Sequence, residues 1–185
     1  MLIDCHAHVS APAKLWAYKA TLLAHRGSHG RGKVVISDDE LIEALHTPHM
    51  GKFGHLPYLK ENSIDKQCIS PRPFQMMHSE SPAKIIDWLH EEVNNVIYRQ
   101  TQLYPDTFIG VAGLSQVAGR PIADALPELE RCVNELGFKG CLLNPDPYEN
   151  GSEEAPGLGD RYWYPLYEKL CELDIPAHLH SAGSR

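Results

Sequence analysis

The sequence predicts an α/β fold of the (β/α)8 TIM-barrel type, broken off after about five βα units, and three observations carry that prediction. Short apolar strand candidates alternate with single amphipathic helices at intervals of roughly 30 to 40 residues, the repeat of a parallel barrel. The first strand candidate ends in Asp4-Cys5-His6-Ala7-His8. The last ends in His178-Leu179-His180. Histidines therefore stand at the C-terminal ends of the two outermost strands, where barrel enzymes assemble their sites.

Each element has its own signal. Leu2-Ile3 starts the first strand. Val9 to Asp65 is a long excursion with one well-marked helix: Ser37-Asp38-Asp39-Glu40 is a capping box, and Leu41, Ile42 and Leu45 follow on one face. The rest of the excursion, rich in His, Gly and Pro, reads as loop. Lys66 to Ser70 is the second strand, ended by Pro71 and Pro73. After Ser81-Pro82, Ile85, Ile86, Leu89, Val93, Val96 and Ile97 recur at helical spacing until Pro105. Thr107 to Leu114 reads as a buried strand, Ile122 to Leu136 as a helix closed by Gly137, and Phe138 to Leu143 as the next strand. A helix from Asp160-Arg161 carries Leu166, Leu170 and Leu173 on one side and hands over to the strand Ile175 to His180.

That makes five strands, whereas a closed barrel of this type has eight. Residues 1–185 accordingly read as the N-terminal part of one barrel domain. The alternative is an open, doubly wound sheet. Histidines on the first strand argue for the barrel, because metal ligands there are gathered from several strands around one mouth. Unpaired strand edges would favour association, so a homo-oligomer is expected.

Composition narrows the function. Of 185 residues, 43% are hydrophobic and 22% charged, an ordinary globular balance. The net charge of −7 and the lack of a long basic run give phosphate-backbone binding no support, so nucleic acid is not an expected partner. Arg26 to Lys33 is locally basic but glycine-rich; it reads as a solvated loop near the mouth, or as a lure for an anionic substrate. The longest apolar run, Phe108 to Leu114, is too short to span a bilayer, and no membrane partner is expected. Five cysteines without a close CxxC pair fit reduced thiols and a cytoplasmic location, and none is assigned to catalysis.

On a strand, side chains alternate faces, so His6 and His8 point the same way and can offer two imidazoles to one divalent cation. The other reading is a pair of surface histidines without metal. A cation held by neutral imidazoles with one open position brings the pKa of bound water toward ~7.

Four segments together resemble the amidohydrolase-related family: Ile3-Asp4-Cys5-His6-Ala7-His8, Leu129 to Phe138, Leu143-Asn144-Pro145-Asp146-Pro147 and Trp163 to Lys169. Within that family they are most similar to hydratases of aromatic acid breakdown. The resemblance implies a metal-dependent (β/α)8 barrel holding Zn2+ or another divalent metal, with His6 and His8 as ligands from the first strand and His180 as the ligand from the fifth. His178 departs from the family pattern of one histidine there and is expected beside the site, in a structural or supporting role, with ligation as the other reading. The implied activity is a hydro-lyase acting on an unsaturated, 4-oxalomesaconate-like oxo-carboxylate, a small anionic substrate. The alternatives are a decarboxylase or hydrolase of the same superfamily, or an inactive partial barrel. A carboxylate ligand and the acid/base group come from later strands in such enzymes.

Further residues are candidates by position. Arg72 follows the second strand and a guanidinium matches a carboxylate in two-point fashion, so it is expected to bind substrate; an exposed ion-pairing arginine is the other reading. Asn144, just past the fourth strand, either hydrogen-bonds substrate or sits in a turn before Pro145. Asp4, two residues before His6, is expected on the same strand face, where it would orient an imidazole. His49, His55 and His78 are loop histidines whose spacing favours none of them as a base. Trp163, Tyr164 and Tyr167 read as packing residues.

Overall fold

Six short strands, all paired in parallel, form the frame: β1 (Ile3–His8), β2 (Lys66–Ser70), β3 (Phe108–Gly110), β4 (Ala112–Gly113), β5 (Cys141–Leu143) and β6 (Ala177–Leu179). The computed structural model describes residues 1–49, 51–149 and 155–180. β3 and β4 are one run of chain interrupted at Val111. The Val111 N–H still goes back to Ile69 at 3.0 Å, whereas Ala112 donates forward to Gly140 at 2.8 Å. The run thus passes its hydrogen bonding from β2 to β5, and the orders β1-β2-β3 and β4-β5-β6 join into a single arc in chain order. A doubly wound sheet keeps its first strand inside and reverses direction, so the open-sheet alternative is not the one adopted.

The helices cover one face of the arc. α2 (Asp38–His46) is where the capping box places it: Ser37 Oγ accepts from the Glu40 N–H, and the Glu40 carboxylate accepts from the Ser37 N–H at 2.9 Å. α4 (Ala83–Leu103) buries the predicted apolar stripe, with Ile85, Ile86, Leu89, Val93, Val96 and Ile97 all in the core. The helix predicted from Ile122 begins as a 3-10 turn over Ile122–Ala125 and continues as α5 (Leu126–Asn134). α6 (Tyr164–Leu173) follows a 3-10 turn capped by Asp160. Trp163 is fully buried and Tyr167 Oη donates to Leu158, so these two pack as expected, whereas Tyr164 is 48% exposed and does not.

The excursion between β1 and β2 departs from expectation. It is not loop around a single helix, because α1 (Ala13–His25) and α3 (His55–Glu61) also form there. Leu15, Tyr18 and Leu22, spaced at i, i+3 and i+7, bury one side of α1, and its Ala, Leu and Lys content favours helix; the neighbouring Gly and Pro residues obscured that stripe. α3 tolerates Pro57 because it falls in the first turn, where the missing N–H has no partner to lose. Gly54 before it abuts α2 so closely that a Cβ would lie 2.0 Å from the His46 carbonyl oxygen.

The basic segment Arg26 to Lys33 is a mostly exposed loop, as the sequence suggests, but its two arginines are paired. Arg26 pairs with Glu80, just before α4, and Arg31 pairs with Glu91 at 2.7 Å and Glu92 at 2.6 Å within it, so both guanidinium groups are engaged. Among the described residues no helix is long and apolar enough to cross a membrane.

Candidate metal centre

Three imidazoles from the two extremities of the arc converge. His6 and His8 project from the end of β1, and His180 follows β6, its N–H donating to Leu143 at 3.0 Å. The ring centroids lie 4.8 Å (His6 to His180), 5.0 Å (His8 to His180) and 5.2 Å (His6 to His8) apart. Four strand-to-strand steps in a flat sheet would separate these ends by ~19 Å. The arc is therefore curled so that its C-terminal edge closes on itself, as a barrel mouth does.

One ring nitrogen from each of the three histidines lies within 4.8 Å of the other two. Nitrogens sharing a tetrahedral ion at about 2.0–2.1 Å stand roughly 3.4 Å apart, so the set fits a divalent cation after a small contraction. The orientation of His8 is fixed for that task. Its Nδ1 faces the Pro71 carbonyl oxygen at 2.9 Å and Ser70 Oγ at 3.2 Å. A carbonyl can only accept, so Nδ1 carries the proton and Nε2 keeps its lone pair toward the centre. Burial drives the His8 ring down to about 4; the Pro71 carbonyl works against this, while His180, His6 and Arg72 add repulsion. Neutral imidazole is the form that binds metal. Among the described residues the group holds three imidazoles and no carboxylate.

Asp4 does not lie on the face the even spacing predicts. The β1–β2 register runs Asp4 to Gln67 and then Ala7 to Ile69, three residues against two, which is a bulge at Cys5-His6. The bulge inverts the alternation. His8 meets Ser70 on one face of β2, while Asp4 meets Gln67 on the other, where Oδ2 accepts from Gln67 Nε2 at 2.7 Å. The second carboxylate oxygen, Oδ1, accepts the His6 backbone N–H at 3.0 Å, so Asp4 bonds the main chain of His6 and not an imidazole nitrogen. Sequence reasoning missed what lies behind it: Gln67 Oε1 meets His55 Nε2, and His55 Nδ1 meets Ser10 Oγ at 2.9 Å. A polar Gln67 flanked by Lys66 and Cys68 inside a strand was the available signal.

Arg72 follows β2 and borders a cleft of about 490 Å3 that His8, His55, Trp16, Phe53 and Tyr58 also line. It makes no ion pair among the described residues, and its charge bears on both His8 and His55. Asn144 is placed elsewhere. It is 1% exposed, its Oδ1 accepts from the Asp146 N–H at 3.0 Å, and its backbone is clamped to the Gln116 amide, so it serves the turn. It borders a cavity of about 10 Å3 beside Pro71, shared with His78 and His90. His78 is buried there with Nδ1 on the Gln116 carbonyl, away from the cleft, whereas His49 and His55 line the cleft. His178 pairs in register with Leu142, near enough to His6 for repulsion to join burial in lowering its pKa, but outside the group of three.

Comparisons with known proteins agree with this geometry. A family model described as amidohydrolase matches residues 3–185. A 2-keto-4-carboxy-3-hexenedioate hydratase from Sphingobium sp. is 39% identical over 188 residues, an alignment that takes in 100% of this chain and 53% of that protein. The crystal structure of a 4-oxalomesaconate hydratase from Rhodopseudomonas palustris superimposes with a TM-score of 0.85 at 35% identity, over 98% of this chain and 53% of that one. A dihydroxybenzoic acid decarboxylase from Polaromonas sp., solved with bound manganese, shares the fold with a TM-score of 0.67 at 23% identity, over 100% of this chain and 50% of that one. The chain thus spans about half the length of the relatives it matches.

Proposed function

The chain belongs to the amidohydrolase family, and from that membership we propose that His6, His8 and His180 hold one divalent cation in a lyase that adds water to an unsaturated oxo-carboxylate of the 4-oxalomesaconate kind. The observation that carries this reading is the convergence of the three rings from opposite ends of the arc. A cation bound there supplies Lewis acidity and brings the pKa of water toward ~7. Three imidazole donors suit zinc, and manganese is the other candidate.

The chain's own residues supply orientation and charge. His8 keeps its Nδ1 proton on the Pro71 carbonyl and so presents Nε2. Arg72, without an acidic partner among the described residues, binds a substrate carboxylate at the edge of the cleft. When water adds across the C=C bond, it gives one proton to the base, its oxygen bonds one carbon, and the π pair moves to the carbon beside the keto and carboxylate groups, which then takes a proton from the acid. The guanidinium lowers the cost of that negative charge. Trp16, Phe53 and Tyr58 give the planar, conjugated part of the substrate an apolar wall.

We place the remaining ligand and the acid/base group on later strands of a barrel whose first five βα units are the residues described here. The full-chain likeness to a hydratase at 39% identity supports water addition over decarboxylation; a gamma-resorcylate decarboxylase from Polaromonas sp. matches over 47% of this chain. The protein is assigned to the cytoplasm, consistent with five free thiols, and to a small carboxylate as its partner, with self-association of the protein expected. Incubation with 4-oxalomesaconate, followed by loss of conjugated absorbance and by CO2 analysis, tests the reaction. Hydration without CO2 release is expected, and CO2 release would transfer the assignment to decarboxylation.

A further inference from the structure

The bulge at Cys5-His6 carries a cost that something must meet. An inserted residue in a ladder leaves a backbone N–H without its strand partner, and here that group is the N–H of His6, the residue whose ring the bulge turns into the centre. It is met by Asp4 Oδ1 at 3.0 Å. Asp4 is itself held from behind by Gln67, Gln67 by His55 and His55 by Ser10.

The direction of every link in this chain follows from its neighbours. An ionised carboxylate only accepts, so Gln67 must turn its NH2 toward Asp4 Oδ2 and its carbonyl oxygen toward His55. His55 Nε2 must then carry the ring proton, Nδ1 must be the lone pair, and Ser10 Oγ must donate to it. Donors and acceptors alternate without a mismatch from Ser10 to the His6 N–H. His55 is further fixed by a tilted ring contact with Phe108 at 5.3 Å, and Gln67 is 3% exposed.

We propose that His55, acting through Gln67 and Asp4, is a positioning residue that holds the β1 bulge and thereby aims the His6 imidazole at the metal centre. The inference rests on the metal reading given above. It concerns a residue from the excursion between β1 and β2 that borders the same cleft as His8, and it gives that excursion a task at the site.

The test uses the purified protein, Zn2+ alone as the probe with a chelator in competition, and 15N NMR of the histidine rings. Gln67→Met keeps the bulk and removes the links to Asp4 and His55; His55→Phe keeps the contact with Phe108 and removes the links to Gln67 and Ser10. Each is expected to weaken Zn2+ binding by about tenfold, the lower end for residues that orient a ligand. The unmutated protein is expected to show His55 protonated on Nε2. Asp4→Asn gives an independent readout: its amide can donate to Gln67 Oε1, which flips the glutamine, moves the His55 proton to Nδ1 and leaves the Ser10 hydroxyl as acceptor. The tautomer should switch while Zn2+ binding suffers less than in Gln67→Met.

His6→Ala separates the two levels. If the protein fails to bind Zn2+ through His6, the metal reading and this inference fall together. If His6→Ala loses Zn2+ but Gln67→Met and His55→Phe bind it like the unmutated protein, the positioning role alone is overturned. Should Gln67→Met fail to fold, a wild-type His55 protonated on Nδ1 still refutes the chain as drawn.

Discussion

The His8 Nδ1–H donates to the Pro71 carbonyl oxygen at 2.9 Å, a bond from the end of β1 to the residue that terminates β2. Because the acceptor is backbone, no side-chain replacement at position 71 removes it. Ser70→Ala, which deletes the 3.2 Å contact to His8 and the Ser70 Oγ donation to the Ala7 carbonyl at 3.0 Å but leaves the Pro71 acceptor, should therefore change metal affinity little and cost stability of about 1 kcal/mol. Chelator competition and urea denaturation check both halves.

Loss of any one of the three rings should empty the centre. Elemental analysis of purified His6→Ala, His8→Ala and His180→Ala is expected to fall from about one divalent ion per chain to near zero in each variant. Retention of metal by His180→Ala with loss in the other two would confine the site to β1.

Arg72→Ala should raise KM for the carboxylate substrate by about 10- to 100-fold, the value of one charge-assisted pair, with a smaller effect on kcat. Arg72→Lys should recover part of this, since an ammonium restores charge without the two-point geometry. A fall in kcat at unchanged KM would remove Arg72 from substrate binding. Asn144→Ala, by contrast, should appear as lost stability of about 1–3 kcal/mol from the opened turn, with KM unmoved.

His90 supplies a pH dependence. It is 1% exposed, and burial drives its ring down to about 3, with repulsion from His78 lowering it further and the Ile86 carbonyl opposing. Between its folded value and the ordinary value of 6.5 the unfolded chain binds a proton that the folded chain does not, so stability falls as pH drops through that window, by up to about 1.4 kcal/mol per pH unit from this group. Denaturation midpoints at pH 7 and pH 5 should draw closer together in His90→Gln than in the unmutated protein; an unchanged gap would assign the acid sensitivity to other groups.

Much of the frame was legible because local signals and packing agree. The Ser37 capping box, the Ile85 to Ile97 stripe and the Lys66 to Ser70 strand each form where period and punctuation place them. The histidine spacing at both ends likewise led to the residues that meet. What escaped depends on register. The alternation rule puts Asp4 beside His6 and His8, and one inserted residue reverses that, an event decided by the hydrogen bonds of β2 and invisible along β1. His55 was equally hidden, because its neighbours in sequence say nothing of Gln67 and Asp4. Asn144 shows the opposite lesson, since its place before Pro145 already favoured a turn and the structure uses it so.

The strands that carry or precede the rings are the first and the last of those described. A growing chain can display His6 and His8 early, yet it has no third donor until residue 180 has emerged and every intervening unit has taken its place. The ion would then act as a clasp, fastened late, and its removal should loosen both ends together, with hydrogen exchange rising in β1 and β6 ahead of the α4 interior.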